Sequence, residues 1–291
     1  MSKPAEVEKV SDTARWVAAV RAEETRRPDA LFADPFSELL AGDRGAEIAN
    51  GFPYLARVLT ASGIIARTAI IDKMITDVVG RDCDRVVNLG CGMDTRPFRL
   101  QLPQDLEWVE VDLPDIIDEK TRQLETVHPN CELSRVSADL SDPQVRTHLL
   151  EETLQGSHKA LVMTEGVLAY LTTDQVKELS SLLSAGPVAW WITDVYSRTA
   201  MRTLRLVMRG RLDKAGLGFV APASGFRMFH EHGGWLLDEA ASEMEMAARW
   251  GRMPAYLRAL TGLANNHDFQ NSGRGNWVAI ARLTKVASFS K

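Results

Sequence analysis

The chain has few cysteines, no large excess of either charge and no long apolar run. Its three cysteines, Cys83, Cys91 and Cys131, are widely spaced and odd in number among 291 residues. That argues against a disulfide framework, gives no metal-ligand spacing and suits reduced thiols in a cytoplasm. No window approaches the roughly 18 uninterrupted apolar residues of a membrane span. The opening MSKPAEVEKVSD lacks the apolar centre of a signal peptide. A net charge of −5, from 34 basic and 39 acidic residues, speaks against general nucleic-acid binding. There is no internal repeat, no low-complexity tract and no evident Ser-His-Asp or Cys-His constellation. His230 and His232 form an HEH pair with no third ligand near in sequence, so a structural or solvent-facing pair is expected rather than a metal site.

The middle of the chain alternates strand-like and helix-like segments. Strands are expected at 84–90, 106–113, 131–139, 159–167 and 188–196, and a further one at 276–283 is expected at the sheet edge. Between them lie helix starts. Pro114 and Pro143 suit first helical turns, and Thr172 with Gln175 spells a capping box. Strands spaced by helices imply βαβ units and a mainly parallel α/β sheet. Ahead of them, 11–27 reads as a helix with Ser11 at its N-cap, and 54–79 as a second helix. Ile64, Ile71, Met74, Ile75 and Val78 share one stripe of that helix, and Arg67 falls on it. A charge on a core-facing stripe needs an anionic partner; an internal salt bridge, or an arginine reaching solvent along its stem, answers the pattern equally.

The turn Gly90-Cys91-Gly92-Met93-Asp94-Thr95 follows the first strand. It lacks the third glycine of a dinucleotide fingerprint and carries an aspartate where a pyrophosphate would approach. Ligands of open α/β sheets bind beyond the carboxyl ends of the strands. Four acids collect there: Asp94, Asp112, Asp139 (beside Leu140) and Glu165. Asp112 has the sequence separation from the turn at which an acid takes a ribose diol. S-adenosylmethionine suits such a rim. It has a diol, an ammonium and a sulfonium, and its single carboxylate has a candidate partner in Arg67. The glycines would then serve close backbone approach to the ligand.

These strings resemble a known family. VVNLGCGMDTRPFRL, VEVDLPDIIDEK, SADL and TEGVLAYL, together with AVRAEETRRPDALFADPF, ARTAIID and FHEHGGW, are similar to the leucine carboxyl methyltransferases. The likeness is to the bacterial branch, which resembles the tetracenomycin carboxyl methyltransferase. It implies a Rossmann-like class I methyltransferase fold: a mainly parallel seven-stranded sheet, helices on both faces and extra N-terminal helices. It implies a single domain, with a helical cover over 1–80, a cofactor-binding core over 81–196, a substrate-covering insertion over 197–240, and C-terminal helices and edge strands over 241–291. By the same resemblance Arg67 binds the carboxylate of S-adenosyl-L-methionine, with Arg21 at the position of an assisting basic residue. Gly90, Cys91, Gly92 and Asp94 line the methionine moiety. Asp112, with Leu113 beside it, holds the ribose, and Asp139 and Leu140 meet the adenine. Glu165 faces the amino-acid end, and Tyr170 matches a tyrosine near the substrate.

The expected activity is methyl transfer to an oxygen of a small, polyketide-like acceptor, a carboxylate first and a hydroxyl second. An ionised carboxylate requires no general base. For a phenol, His230 or His232 would be the first bases to consider. The Arg-rich run 198–214 reads either as a lid over an anionic substrate or as the solvated face of an amphipathic helix. Two rival readings differ in class: a non-catalytic module that only binds the cofactor, and a nicotinamide-dependent oxidoreductase, against which the turn sequence counts.

Overall fold

In the computed structural model, residues 10–207, 224–261, 268–269 and 275–285 are described. Three helices come first: α1 (Val10–Thr25), α2 (Ser37–Gly51) and α3 (Tyr54–Val79). The α/β succession follows as β1 (Arg85–Leu89), α4 (Arg96–Arg99), β2 (Glu107–Asp112), α5 (Pro114–Gln123), β3 (Glu132–Ser137), α6 (Pro143–Leu154), β4 (Ala160–Thr164), α7 (Thr173–Ala185) and β5 (Val188–Tyr196). Beyond it lie α8 (Arg198–Val207), α9 (Arg227–Glu231), β6 (Trp235–Ser242), α10 (Glu243–Arg249), α11 (Ala255–Thr261) and β7 (Val278–Lys285).

The sheet has seven strands in the order β3-β2-β1-β4-β5-β7-β6. The first five strands pair in parallel, and β7 runs antiparallel to both β5 and β6. The strand expected at the edge is therefore interior. Its apolar run, with Ala279, Ile280, Ala281 and Leu283 all buried, fits a strand covered on both sides. The edge is β6, whose exposed Leu236 and Asp238 masked it in the sequence.

Alternation along the strands sorts the core into two faces. Val86 packs with Ile71, Met74, Ile75 and Val78 of α3 on one side. Val87 and Leu89 pack with Leu149 and Leu150 of α6 and Leu179 and Leu183 of α7 on the other. By length and composition α3 could cross a bilayer, but half of its apolar window is buried within the chain, as in a core helix. Local signals set the helix starts. Asp142 caps α6 by accepting from the Gln144 and Val145 N–H groups. Thr172 and Gln175 form the expected capping box of α7. Ser11 is not a cap: the chain is already helical at Val10.

Candidate functional site

The strand order reverses between β1 and β4, and a cavity of about 550 Å³ opens beyond the carboxyl ends of the strands there. All of the expected site residues line it: Arg21, Arg67, Gly90, Cys91, Gly92, Asp94, Asp112, Leu113, Asp139, Leu140, Glu165 and Tyr170. They arrive from seven separate stretches of chain, so the convergence is a property of the fold.

The turn after β1 is built by its backbone. Gly90 has φ 71° and Gly92 φ 48°, in the left-handed region that disfavours a side chain. A Cβ on Gly90 would also lie 2.4 Å from Val167, so here the space denied to a side chain is filled by protein. The Gly92 N–H donates to Asp112 Oδ2 at 2.6 Å, and the Leu113 N–H donates to Oδ1 at 2.8 Å. These bonds fix the carboxylate at the cavity wall with acceptor capacity left on each oxygen. Burial pushes the Asp112 pKa up, and the two N–H bonds only partly oppose it.

Asp94 does not offer a free charge. Its carboxylate accepts from Asn88 Nδ2 at 2.9 Å, from the Arg96 N–H at 3.0 Å and from Arg96 Nη1 at 2.9 Å. Burial would raise its pKa, but Arg96 together with Lys120, Arg99 and Arg21 outweighs burial and holds it below the usual carboxylate range. The acid-crowded rim expected from sequence is thus partly neutralised, and repulsion of a pyrophosphate there rests on Asp112 and Asp139. Asp139 is exposed and braces its own loop, accepting from the Ser141 N–H at 2.9 Å.

Arg96 is the hub of the site. It is 2% exposed and binds Asp72 at 2.7 Å, Asp94 at 2.9 Å and Glu165 at 2.8 Å. Glu165 also meets Arg67, whose Nε lies 2.8 Å from Oε1. That N–H is not aligned with the oxygen, and Arg67 Nε has no hydrogen-bond partner. The contact is therefore an ion pair without a hydrogen bond, and it leaves a buried donor unpartnered in a residue that lines the cavity. Burial alone would lower the Arg67 pKa; Glu165 and Asp194 outweigh it and hold it above the ordinary value. For Glu165 burial likewise opposes ionisation, but Arg96 and Arg67 prevail and the pKa is lowered. The two sequence readings of Arg67 prove compatible, since it is internally paired and also lines the cavity.

Arg21 is committed elsewhere. Its Nε donates to Asp34 at 2.8 Å, and a terminal nitrogen donates to the Met93 carbonyl, tying α1 to the turn after β1. Tyr170 is held by Thr13, and burial pushes its pKa up to about 12, so its hydroxyl keeps its proton. Burial similarly raises the Cys91 thiol well above its ordinary range.

Four further residues belong to the site and were not read from sequence: Arg96, Asp194, Tyr196 and Glu243. Asp194 lies two residues before the end of β5, whereas Asp112 is the last residue of β2, so the rule of acids near strand ends, extended by one strand, would have pointed to it. Its Oδ1 accepts from the Gly166 N–H at 2.7 Å, while its Oδ2 is buried without a hydrogen-bond partner, 3.7 Å from Arg67 Nη1. Glu243 enters from the far end of the chain, one residue after β6, and no local pattern marks it.

His230 and His232 are not at the cavity. Their loop docks on α7, where Ser181 Oγ donates to the His232 carbonyl at 2.7 Å and Ser184 Oγ to the Gly233 carbonyl at 2.6 Å. They are corrected here as candidate bases. Among the described residues no cluster of three metal-ligating side chains occurs. Arg198 and Arg202 on α8 are exposed and Met201 is buried, which is the amphipathic reading; Arg209 and the stretch 208–223 lie outside the described residues.

A leucine carboxyl methyltransferase family model matches residues 14–184. A Frankia alni protein named "Putative S-adenosyl-L-methionine-dependent methyltransferase" is 29% identical over 258 aligned residues, covering 82% of this chain and 88% of that protein. A Streptomyces avermitilis protein of the same description is 32% identical over 258 aligned residues, covering 82% and 87%. Among solved structures, the chain is similar to a DUF574 family protein from S. avermitilis, with TM-score 0.59, 15% identity, and coverage of 94% of this chain and 97% of that one. A methyltransferase-described structure from Thermobifida fusca gives TM-score 0.54 at 17% identity, covering 96% of each. At these identities the structural likeness is one of fold.

Proposed function

The chain belongs to the leucine carboxyl methyltransferase family and is an S-adenosyl-L-methionine-dependent methyltransferase, and we propose that the cavity beyond β1, β2 and β4 holds the donor and presents an acceptor oxygen to it. The observation that carries this reading is the convergence of the Gly90–Gly92 turn, Asp112, Asp139, Glu165 and Arg67 on one cavity. The donor set fits the cofactor. Asp112 has unused acceptor capacity, Arg67 has an unpartnered buried N–H, and the turn after β1 offers no phosphate cradle.

Bound there, the cofactor supplies an electrophilic methyl group on a sulfonium. Asp112 accepts from the ribose hydroxyls. Leu113, Asp139 and Leu140 border the adenine. Arg67 takes the methionine carboxylate, and Arg21 acts indirectly by fixing Met93. Glu165, pinned by Arg96, faces the amino-acid end. Trp16, Val17, Leu59 and Ile64 give the other half of the cavity an apolar wall that excludes water and suits a small, polyketide-like molecule. Tyr170 donates a hydrogen bond toward the acceptor. Transfer is to oxygen, with rate coming from alignment of the reactants.

The test is calorimetric titration with S-adenosylhomocysteine, with NADH as control. Micromolar binding of the first and none of the second is expected. Folded protein that fails to bind S-adenosylhomocysteine, or that binds NADH instead, refutes the assignment.

A further inference from the structure

The polar end of the acceptor half holds a carboxyl group that the reading above leaves unused. Because β7 is antiparallel to both β5 and β6, β6 runs in the same direction as β5. Glu243, the residue after β6, therefore emerges on the same rim as Asp194 and Tyr196. It is 7% exposed and lines the cavity, and among the described residues its side chain has no ion pair or hydrogen bond. The opposite wall makes room for it. Gly63 lies inside α3, where glycine costs roughly 1 kcal/mol relative to alanine. A Cβ there would lie 3.0 Å from Glu243 Oε2. Gly63 is one helical turn from Arg67, on the same face of α3. The carboxyl group thus sits about a turn beyond the proposed anchor of the donor.

We propose that Glu243 receives the acceptor's proton, and that the acceptor is a small apolar molecule methylated on a hydroxyl, above all a phenol, rather than on a carboxylate. The proposal rests on the donor placement given above. Charge favours it. Arg67 and Arg96 already face Glu165, Asp194, Asp94 and Asp72. An acceptor carboxylate would add a negative charge beside Glu243 and Asp194 with no spare cation among the described residues that line the cavity, where Arg21, Arg67 and Arg96 are all paired. A hydroxyl brings a donor to an unpartnered acceptor. The acceptor O–H bond breaks and its proton passes to a Glu243 oxygen. The freed oxygen pair forms the bond to the methyl group as the methyl–sulfur bond breaks and sulfur keeps that pair. Glu243 then releases the proton to water. The groups facing Glu243 are Arg67 on α3, Glu165 after β4, and Asp194 and Tyr196 on β5. Burial, reinforced by Asp194 and Glu165 and only partly offset by Arg67, pushes its pKa up to about 8, suited to a base near neutral pH.

Protein saturated with S-adenosylhomocysteine is titrated with 2-naphthol and 2-naphthoate, two flat probes that differ in the acceptor group. At pH 8.5 wild type should prefer the naphthol by about tenfold or more, the worth of one hydrogen bond kept and one like-charge contact avoided. Glu243→Gln should erase the preference while leaving S-adenosylhomocysteine affinity within about threefold, which also shows that the variant folds. Gly63→Ala, which crowds the carboxyl group, should weaken naphthol binding alone. With labelled donor, methylation of 2-naphthol should rise with pH through a value near 8 in wild type. Glu243→Gln should lose that limb and about 100-fold in rate. Equal or tighter naphthoate binding, binding of neither probe, or an unchanged preference in Glu243→Gln overturns the proposal. A tenfold loss of S-adenosylhomocysteine affinity in Glu243→Gln does so too, since it moves Glu243 to the donor half. Failure of wild type to bind S-adenosylhomocysteine strikes the functional assignment instead.

Discussion

Asp112→Ala tests the donor half of the site. The carboxylate is 8% exposed, carries two backbone hydrogen bonds of 2.6 and 2.8 Å, and presents its remaining lone pairs to the cavity. A hydrogen bond from a ribose hydroxyl to an ionised carboxylate is worth roughly 1.5–3 kcal/mol, or about 10- to 150-fold in affinity. Its loss should appear as that decrease in S-adenosylhomocysteine affinity by calorimetry. The same substitution strips acceptors from the Gly92 and Leu113 N–H groups. Water can reach both from the cavity, so the stability cost should be about 1–3 kcal/mol by denaturant titration, at the low end of unsatisfied groups. A pH series separates the direct contact from a collapsed turn. The pKa of Asp112 is raised by burial, and the ribose favours its ionised form. Wild-type affinity should therefore fall as pH drops through that raised value, whereas Asp112→Ala should show no such limb. An affinity within threefold of wild type, or an identical acid limb in both proteins, would refute the ribose placement.

Arg96→Met should destabilise the fold by about 3 kcal/mol near pH 7.5, the low end for a broken buried ion pair, because Arg99 still holds Asp72 and Arg67 still faces Glu165. With the depressed carboxylate pKa values of Asp94 and Glu165, wild type keeps its ion-pair stability down to the ordinary carboxylate range and loses it only below. In the variant those carboxyl groups are raised instead, so acidification relieves the penalty. The gap in unfolding free energy should narrow toward pH 5, and a gap that widens there would contradict the hub. Cys83, Cys91 and Cys131 are all buried, with Cys83 raised to about 11 and Cys131 to about 12 by burial. A thiol-reactive dye at pH 8 should label none of them quickly in folded protein and all three after unfolding; fast labelling of any one in folded protein would disprove its burial.

The residues that line the cavity after β1, β2 and β4 were legible in the sequence because their signals are local. A strand ending in glycines, an acid at the end of the next strand and a Thr-x-x-Gln cap each occupy a few adjacent residues. The helix expected at roughly 54–79 is present as Tyr54–Val79, since a charge on an apolar stripe does not disturb its period. The acceptor half was not legible. Glu243 and Gly63 meet only because β6 and α3 are brought together by the sheet, and neither has a distinctive sequence neighbourhood. The edge position of β6 was missed because exposed Leu236 and Asp238 obscure its apolar pattern, and the partner of Asp238 and Glu239, Arg282, lies on β7. The charge of Asp94 on the rim was overstated because its counter-charge, Arg96, sits only two residues on, at the start of α4, and turns back toward it.

The antiparallel insertion of β7 between β5 and β6 divides the chain by task. Apart from Arg21 and Arg67, the residues assigned to the donor lie between Gly90 and Glu165, whereas the acceptor wall joins Gly63, on the same helix as Arg67, to Glu243 from the last fifty or so residues. Contacts so distant in sequence carry a larger loop-closure cost and form late in folding. The donor pocket can thus take shape while the acceptor pocket is still open. Substitutions on that late-closing wall are then free to change what is methylated without disturbing what does the methylating.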